Sequence, residues 1–262
     1  VSRITWDDLG KRFYEVGIDR GVLYPPSGDG VPWNGLTSVR VHPSGGDQKG
    51  YYLDGIKYLN VPSPEEYEAT ITAFTYPDEF GVCDGTTRVH SGLFVTQQQR
   101  KPFGFSYRTR IGNELDSNYG YKIHIVYNAL AAPSNKDFST LGGSVSLADF
   151  SWDITTKPAA MTGVKRSAHI EIDTRSANPA AISDVEDILY GTEAQAASLP
   201  TLAQLVDIFE AYAILSVIDN GDGTFTVTGP DDAITFPTAD TFEITWPSAV
   251  PIDADTFTLS SL

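Results

Sequence analysis

Alternation of apolar and polar residues at period two recurs along the first two thirds of the chain, and no other feature restricts the fold as much. The segments LTSVRVH (36–42), GYYLDGIKYLNV (50–61), YEATITAFTY (67–76), PFGFSYRTRI (102–111), YGYKIHIVYNAL (119–130), FSWDITT (150–156) and AHIEIDT (168–174) all show it. Each is rich in β-branched and aromatic residues, and because successive side chains of a strand point to opposite faces, each reads as a strand with one buried face. The runs PSGGDQKG (43–50), PDEFGVCDGT (77–86), GNELDSNYG (112–120), APSNKD (132–137) and TKPAAMTG (156–163) supply turn material between them. Strands that follow one another without intervening helices predict a mostly antiparallel β-sandwich or barrel, not a parallel sheet.

Helical signals come late. PAAISDVEDILYG (179–191) predicts a helix with Ser183 as N-cap, Asp184, Glu186 and Asp187 in its first turn, and Gly191 as its stop. PTLAQLVDIFEAY (200–212) places Leu202, Leu205, Val206, Ile208 and Phe209 on one face, which predicts a helix lying against a sheet. AILSVIDNGDGTFTVTGP (213–230) reads as a hairpin closed at DNGDG, and TFEITW (241–246) and DTFTLSSL (255–262) as two short strands. The fold class expected is therefore mostly β, an α+β arrangement with one or two late helices. Residues 1–213 would form a β-sandwich domain with an N-terminal arm and flanking helices, and residues 214–262 a small acidic β appendage.

The net charge of -16 is unevenly distributed: residues 1–175 hold all 18 Lys and Arg against 20 acids, whereas residues 176–262 hold 14 acids and no base. Proteins that grip free nucleic acid show the reverse, a basic face that releases counterions on meeting phosphate. Sequence-specific DNA binding is thereby excluded as an expectation. No run of about 18 apolar residues is present to cross a bilayer, and VSRITWDDLG at the start lacks the apolar core of a signal peptide, so no membrane partner is expected and synthesis in a cytoplasm is. Cys83 is the single cysteine, which rules out an intrachain disulfide or thiolate zinc site.

Catalytic candidates are sparse. His42, His90, His124 and His169 have no metal-ligand spacing, and no nucleophile-elbow or phosphate-loop pattern occurs. The pairs Glu65–Glu66 and Asp7–Asp8 are adjacent carboxylates that point different ways, which suits a solvated surface better than a glycosidase acid–base pair. Counting a calcium loop from Asp219 ends at Pro230 where a bidentate glutamate is needed. Cys83 lacks an activating cation in sequence. No cofactor and no metal are expected.

One resemblance covers most of the chain. LYPPSGDGVPWNGL (23–36), YYLDGIKYLN (51–60), SPEEYEATITAFTYPDEFGVCDGT (63–86), VTQQQRKPFGFSYRTRIGNE (95–114), YGYKIHIVYNALAAPS (119–134) and FSWDITTKP (150–158), followed by LYGTE (189–193) and LPTLAQLVDIF (199–209), resemble in order the major tail protein of long non-contractile phage tails, among them those of phages of actinobacterial hosts. The resemblance implies a structural virion protein of the tail, assembled in the host cytoplasm, with no enzymatic activity. It implies hexameric rings stacked into a helical tube that conducts DNA to the host. It further implies tape-measure, tail-tip and terminator proteins as partners, with DNA passing through unbound. Residues 214–262 resemble an extension carried by some members of that family.

Set beside the residues, the resemblance directs attention to three groups. A DNA conduit should offer acidic or neutral groups to its cargo, and Glu66, Glu68, Thr70 and Thr72 alternate with Tyr67, Ala69 and Ile71, so they are candidates for the lumen face. Arg100, Lys101, Arg108 and Arg110 should then avoid the bore and meet carboxylates of neighbouring subunits, with Phe103, Phe105 and Tyr107 inside the sandwich. Trp6, Phe13 and Tyr14, within a polar segment (3–21), are candidates for an arm that reaches a neighbour, as is the loop 42–50. A second reading, a carbohydrate- or surface-binding β-sandwich, draws on Trp6, Trp33, Trp152, Trp246 and the many tyrosines. A third, a hydrolase, draws on the carboxylate pairs.

Overall fold

A computed structural model describes residues 3–134, 136, 140, 149–159 and 164–212, together with the backbone of residues 216–219, 225–228, 234–238 and 241–244. In chain order the strands are β1 (Tyr14–Tyr24), β2 (Val31–Pro32), β3 (Leu36–Val41), β4 (Ser44–Gly45), β5 (Gln48–Leu53), β6 (Ile56–Pro62), β7 (Glu65–Glu66), β8 (Glu68–Ala73), β9 (Thr87–His90), β10 (Leu93–Val95), β11 (Phe103–Gly112), β12 (Gly120–Ala131), β13 (Phe150–Thr156) and β14 (His169–Asp173). Helices α1 (Pro179–Tyr190) and α2 (Leu202–Ala211) follow, then β15 (Ser216–Asp219), β16 (Phe225–Thr228), β17 (Ile234–Thr238) and β18 (Thr241–Ile244). The chain divides into two compact units, Val1–Arg175 with Ile188–Leu199, and Ser176–Asp187 with Pro200–Leu262. The fold is mostly antiparallel β with two helices, as the alternation predicts.

The first unit is built on one sheet in the order β2-β1-β11-β12-β13-β8-β3, with β14 also paired to β12. The fork arises within β12. Its residues Lys122–Val126 pair with β14, and Ala129–Ala131 pair with β13. Between them Asn128 takes a left-handed φ of 50°, and its side-chain amide donates to the Lys157 carbonyl at 3.2 Å, which fixes the point where β12 changes partner. The sheet then rolls back on itself. Gly21 of β1 lies so close to Leu36 of β3 that an added Cβ would stand 2.7 Å from its side chain, so the bare backbone lets the two ends of the strand order approach.

The rolled sheet encloses a core of Leu23, Trp33, Ala69, Ile71, Phe80, Phe103, Phe105, Tyr107, Val126, Trp152 and Ile154. Trp33 sits at its centre, with ring centroids 4.7 Å from Phe80, 5.5 Å from Phe105 and 5.8 Å from Trp152, and its indole N–H donates to the Thr75 carbonyl at 3.1 Å. Tilted and edge-on contacts of this kind satisfy the ring quadrupoles as well as burying area. Trp33 and Trp152 are thus structural, which removes two of the four tryptophans on which the carbohydrate-binding reading drew; Trp246 lies outside the described residues.

Several expectations are corrected. GYYLDGIKYLNV is two strands, because Asp54 and Gly55, at φ 48° and 78°, make the tight turn that an Asp-Gly pair favours between antiparallel strands. The segment 3–21 is only in part an arm, since from Tyr14 onward it is β1, paired along its length with β11. The turn run 77–86 contains a short 3-10 helix, Asp78–Val82, that inserts Phe80 into the core. Helix α1 starts before Ser183: Pro179 supplies a preset φ and no N–H at the first position, and the Asn178 side chain accepts from the Ala180 N–H at 2.9 Å. Its stop at Gly191, φ 79°, stands where the sequence places it.

Helix α2 begins with a reciprocal cap. The Gln204 N–H donates to Thr201 Oγ1 and the Thr201 N–H donates to Gln204 Oε1. Of its expected apolar face Leu205 is buried, whereas Val206 is exposed. In the second unit β15 pairs with β16, the hairpin expected at 213–230, and β17 pairs with β18. The strand at 234–238 escaped the sequence reading, and the one expected at 255–262 lies outside the described residues.

Candidate functional site

The basic strand β11 has two faces. Phe103, Phe105 and Tyr107 point into the core, while Arg108 and Arg110 point away from it. In the register of β11 against β1, Arg110 stands opposite Val16 and Arg108 stands opposite Asp19. Arg108 donates to both its carboxylate oxygens, at 2.8 and 3.2 Å, and Arg110 donates to Oδ2 at 3.0 Å; Arg108 also lies 4.3 Å over the Tyr121 ring. Burial raises the Asp19 carboxyl, but the hydrogen bonds and charges of the two guanidinium groups outweigh it, so its pKa falls below the ordinary value. Arg100 approaches the buried Asp84 at 3.8 Å, and Lys136 reaches the same carboxylate at 2.5 Å. Three of the four basic candidates therefore have an acid within the chain. Lys101 is exposed, as is Arg110 over half of its side chain, and these two keep the most surface for a further contact.

On β8 the expected alternation holds. Ala69, Ile71 and Ala73 are buried and Glu68, Thr70 and Thr72 lie on the other face, whereas Glu66 belongs to the short strand β7, paired with Ser44. The polar face is knit sideways. Ser44 donates to Glu68 at 2.7 Å, Thr70 donates to Asp153 of β13 at 2.7 Å, and His42 lies 3.0 Å from Thr70 and 3.9 Å from Glu68. These neighbours arrange Glu68, Thr70 and Asp153 as one mostly acidic strip across the two strands β8 and β13.

The N-terminal segment is fastened at Gly10. Its N–H donates to Glu114 at 2.6 Å and its carbonyl accepts from Asn113 at 3.1 Å. Beyond that point Phe13 rests 5.0 Å from Tyr119 and under Arg175 at 5.1 Å, and Tyr14 opens β1; both remain partly exposed. Before it, Ile4, Trp6 and Leu9 are exposed, Trp6 to 76%.

The most unusual surface is one the sequence reading treated as an ordinary strand. The β5–β6 hairpin carries seven large apolar side chains, Tyr51, Tyr52, Leu53, Ile56, Tyr58, Leu59 and Val61, and every one is exposed, Ile56 to 73% and Tyr58 to 69%. A second small hairpin, β9–β10, likewise exposes Val89, Leu93, Phe94 and Val95. The signal for the first was present in the Asp-Gly pair, and the β-rich composition on both sides of it concealed the turn.

Among the described residues no three His, Cys, Asp or Glu side chains are grouped to hold a metal ion. The Cys83 thiol is buried, and that burial pushes it up to about 12, which leaves it a poor nucleophile.

No family model matches the chain, and no curated protein matches it. Among solved structures it is similar to the tube-terminating cap of the anti-feeding prophage, at 14% identity over 66% of this chain and 100% of that one, with a TM-score of 0.34. It is also similar to a chain of the extended sheath–tube complex of the PVC extracellular contractile injection system, at 14% identity over 65% of this chain and 95% of that one, TM-score 0.31. A chain of the anti-feeding prophage baseplate matches at 8% identity over 64% of this chain and 97% of that one, TM-score 0.34. At these scores the likeness is loose.

Proposed function

We propose that this protein is a structural subunit that assembles with copies of itself into a phage-tail-like tube. The observation that carries the reading is the β5–β6 hairpin. A lone two-stranded hairpin is marginal in water, and seven exposed apolar side chains on one need a cover. Each tyrosine offers roughly 150–250 Å² of buriable surface, so the hairpin could fill a large part of the roughly 800 Å² that one partner contributes to a standard interface.

Charge favours a second copy as that cover. Residues 48–62 hold Lys49 and Lys57 against Asp54, a surplus of one positive charge in a chain of net charge -16, so the hairpin complements the rest of its own sequence. A contact between two different patches is head-to-tail, and repeats into rings or helical stacks. The order of motifs shared with major tail proteins supports the same assembly: hexameric rings stacked into a conduit for DNA in a virion tail, with tape-measure, tail-tip and terminator proteins as further partners.

In that assembly the strip of Glu66, Glu68, Thr70 and Thr72 faces the lumen and repels the phosphate backbone. Lys101 and Arg110, with Arg100 and Arg108 behind them, face acids of a neighbour, and Trp6, Phe13 and Tyr14 seat the arm on an adjacent subunit. Residues 214–262 form an acidic outer decoration dispensable for ring closure. The test is electron microscopy of the purified chain beside the double variant Tyr52→Ser/Tyr58→Ser. Tubes or rings from the parent, and folded single subunits from the variant, support the reading; equal assembly by both overturns the role of the hairpin.

A further inference from the structure

The first unit contains a chain of polar groups that the tube reading does not use. His124 of β12 and His169 of β14 are neighbours across the sheet, and His124 Nδ1 lies 3.1 Å from His169 Nε2. The two rings are nearly coplanar, at 11°, with centroids 5.3 Å apart. That separation exceeds the nitrogen–nitrogen distance by about two ring radii, so the contact is end to end, one N–H aimed along the other ring's lone pair. Tyr107 of β11 stacks on His124 at 4.6 Å, and Tyr67, just before β8, on His169 at 4.7 Å.

The direction of the hydrogen bonds can be worked out from the far end. Glu15 of β1 accepts from the Thr109 hydroxyl, which spends the only proton that hydroxyl has. Thr109 Oγ1 can then only accept from His124 Nε2, 3.0 Å away, so His124 carries its proton on Nε2. Its Nδ1 is left as an acceptor, and His169 must donate from Nε2. A neutral pair therefore forms one directed line, from His169 through His124 and Thr109 to Glu15.

Other charges set what the pair can tolerate. Glu15 lies 3.9 Å from His124 Nε2 and Glu171 of β14 lies 3.8 Å from its Nδ1, while Lys122 of β12 bridges the same two carboxylates at 3.1 and 3.0 Å. One added proton can enter at His169 Nδ1 while the shared proton passes to His124, which puts the charge between two carboxylates and keeps a reversed bond. A second proton fills all four nitrogens and leaves two N–H groups facing each other. We propose that the His124–His169 contact is an acid-opened latch, which holds β14 on β12 while the imidazoles share a hydrogen bond and releases it when both rings are fully protonated.

The titration direction agrees with the geometry. Burial outweighs the nearby carboxylates in lowering His124; for His169, burial and the positive charge of His124 bring it from 6.5 to about 4. A histidine depressed in the folded state takes up its proton more readily when unfolded, so stability is complete above the unfolded value and falls as pH drops from about 6.5 toward about 4.

The experiment is amide exchange of residues 169–173 in the full-length chain, corrected for intrinsic rates, at pH 6.5 and 4, beside His169→Gln, whose amide can still donate to His124 but cannot protonate. The wild type should lose protection by on the order of 10²-fold between the two pH values and the variant much less. Equal losses in both would overturn the latch. Should the variant fail to fold, imidazole NMR titration of the wild type decides alone: a His169 titrating near pH 4 supports the proposal, and one titrating at the ordinary imidazole value overturns it.

Discussion

Strands β11 and β6 are both rich in aromatic and β-branched residues, yet their surroundings are opposite. Every aromatic ring of β11 is buried and two of its arginines share a carboxylate across the sheet. Every residue of β6 is exposed, and so is every residue of its partner β5 except the half-buried Gly50. The core face of the first region is buried within a single chain. In the proposed assembly the second is covered by another copy, so a substitution in the sheet should change folding, whereas one in the hairpin should change only what the folded chain can join.

Trp152→Ala should have the largest effect. The ring is fully buried among Trp33, Tyr76 and Phe80, and removing it leaves a large cavity, so unfolding free energy should drop by about 3–5 kcal/mol. Denaturant titration of the unassembled chain measures it. A loss below about 1 kcal/mol would mean that the rolled core is not the stabilising centre described above.

An intermediate effect is expected at Asp19→Asn, which leaves the largely buried Arg108 guanidinium without its carboxylate and should cost about 1.5–3 kcal/mol. Acid should do the same to the wild type. Because the folded pKa of Asp19 is depressed, its contribution is present above the unfolded value and is lost as pH falls through the folded one, and the aspartate-to-asparagine variant should lack that part of the acid response. A pH–stability curve for the two proteins that stays parallel below pH of about 4 would argue against the Asp19 cluster.

Tyr58→Ser should have the smallest effect on the single chain, within about 0.5 kcal/mol, because the side chain is already in water. On assembly its effect should be large. A variant that destabilises the single chain as much as a core substitution would show that the hairpin is covered by its own chain.

Most of the sheet could be read from sequence, because period-two patterning is a local property that pairing preserves. The segments at 67–76, 102–111, 119–130, 150–156 and 168–174 each match an observed strand to within a few residues. The misses were of two kinds. Local turn chemistry was overridden by pattern at Asp54–Gly55, and at Asn178–Pro179 the favourable acids after Ser183 drew the helix start too far along. The others were long-range: β1 looked polar and unplaceable since it is defined by pairing with β11, and no residue pattern announces that Asp19 will stand opposite Arg108. The lumen strip was legible as an alternation, but not its sideways ties to His42 and Asp153, which depend on the neighbours chosen by β8. Nothing in the sequence pairs His124 with His169, because 45 residues separate two rings that the register of β12 and β14 brings together.

Cryo-electron microscopy of the particles formed by the full-length chain, seeded with an initiating tail complex if the chain alone stays monomeric, tests the central claim most directly. Stacked rings in which residues 48–62 are buried against a second copy are the predicted result. Rings or tubes in which that hairpin still projects into solvent would contradict it, as would a chain that remains single even when seeded.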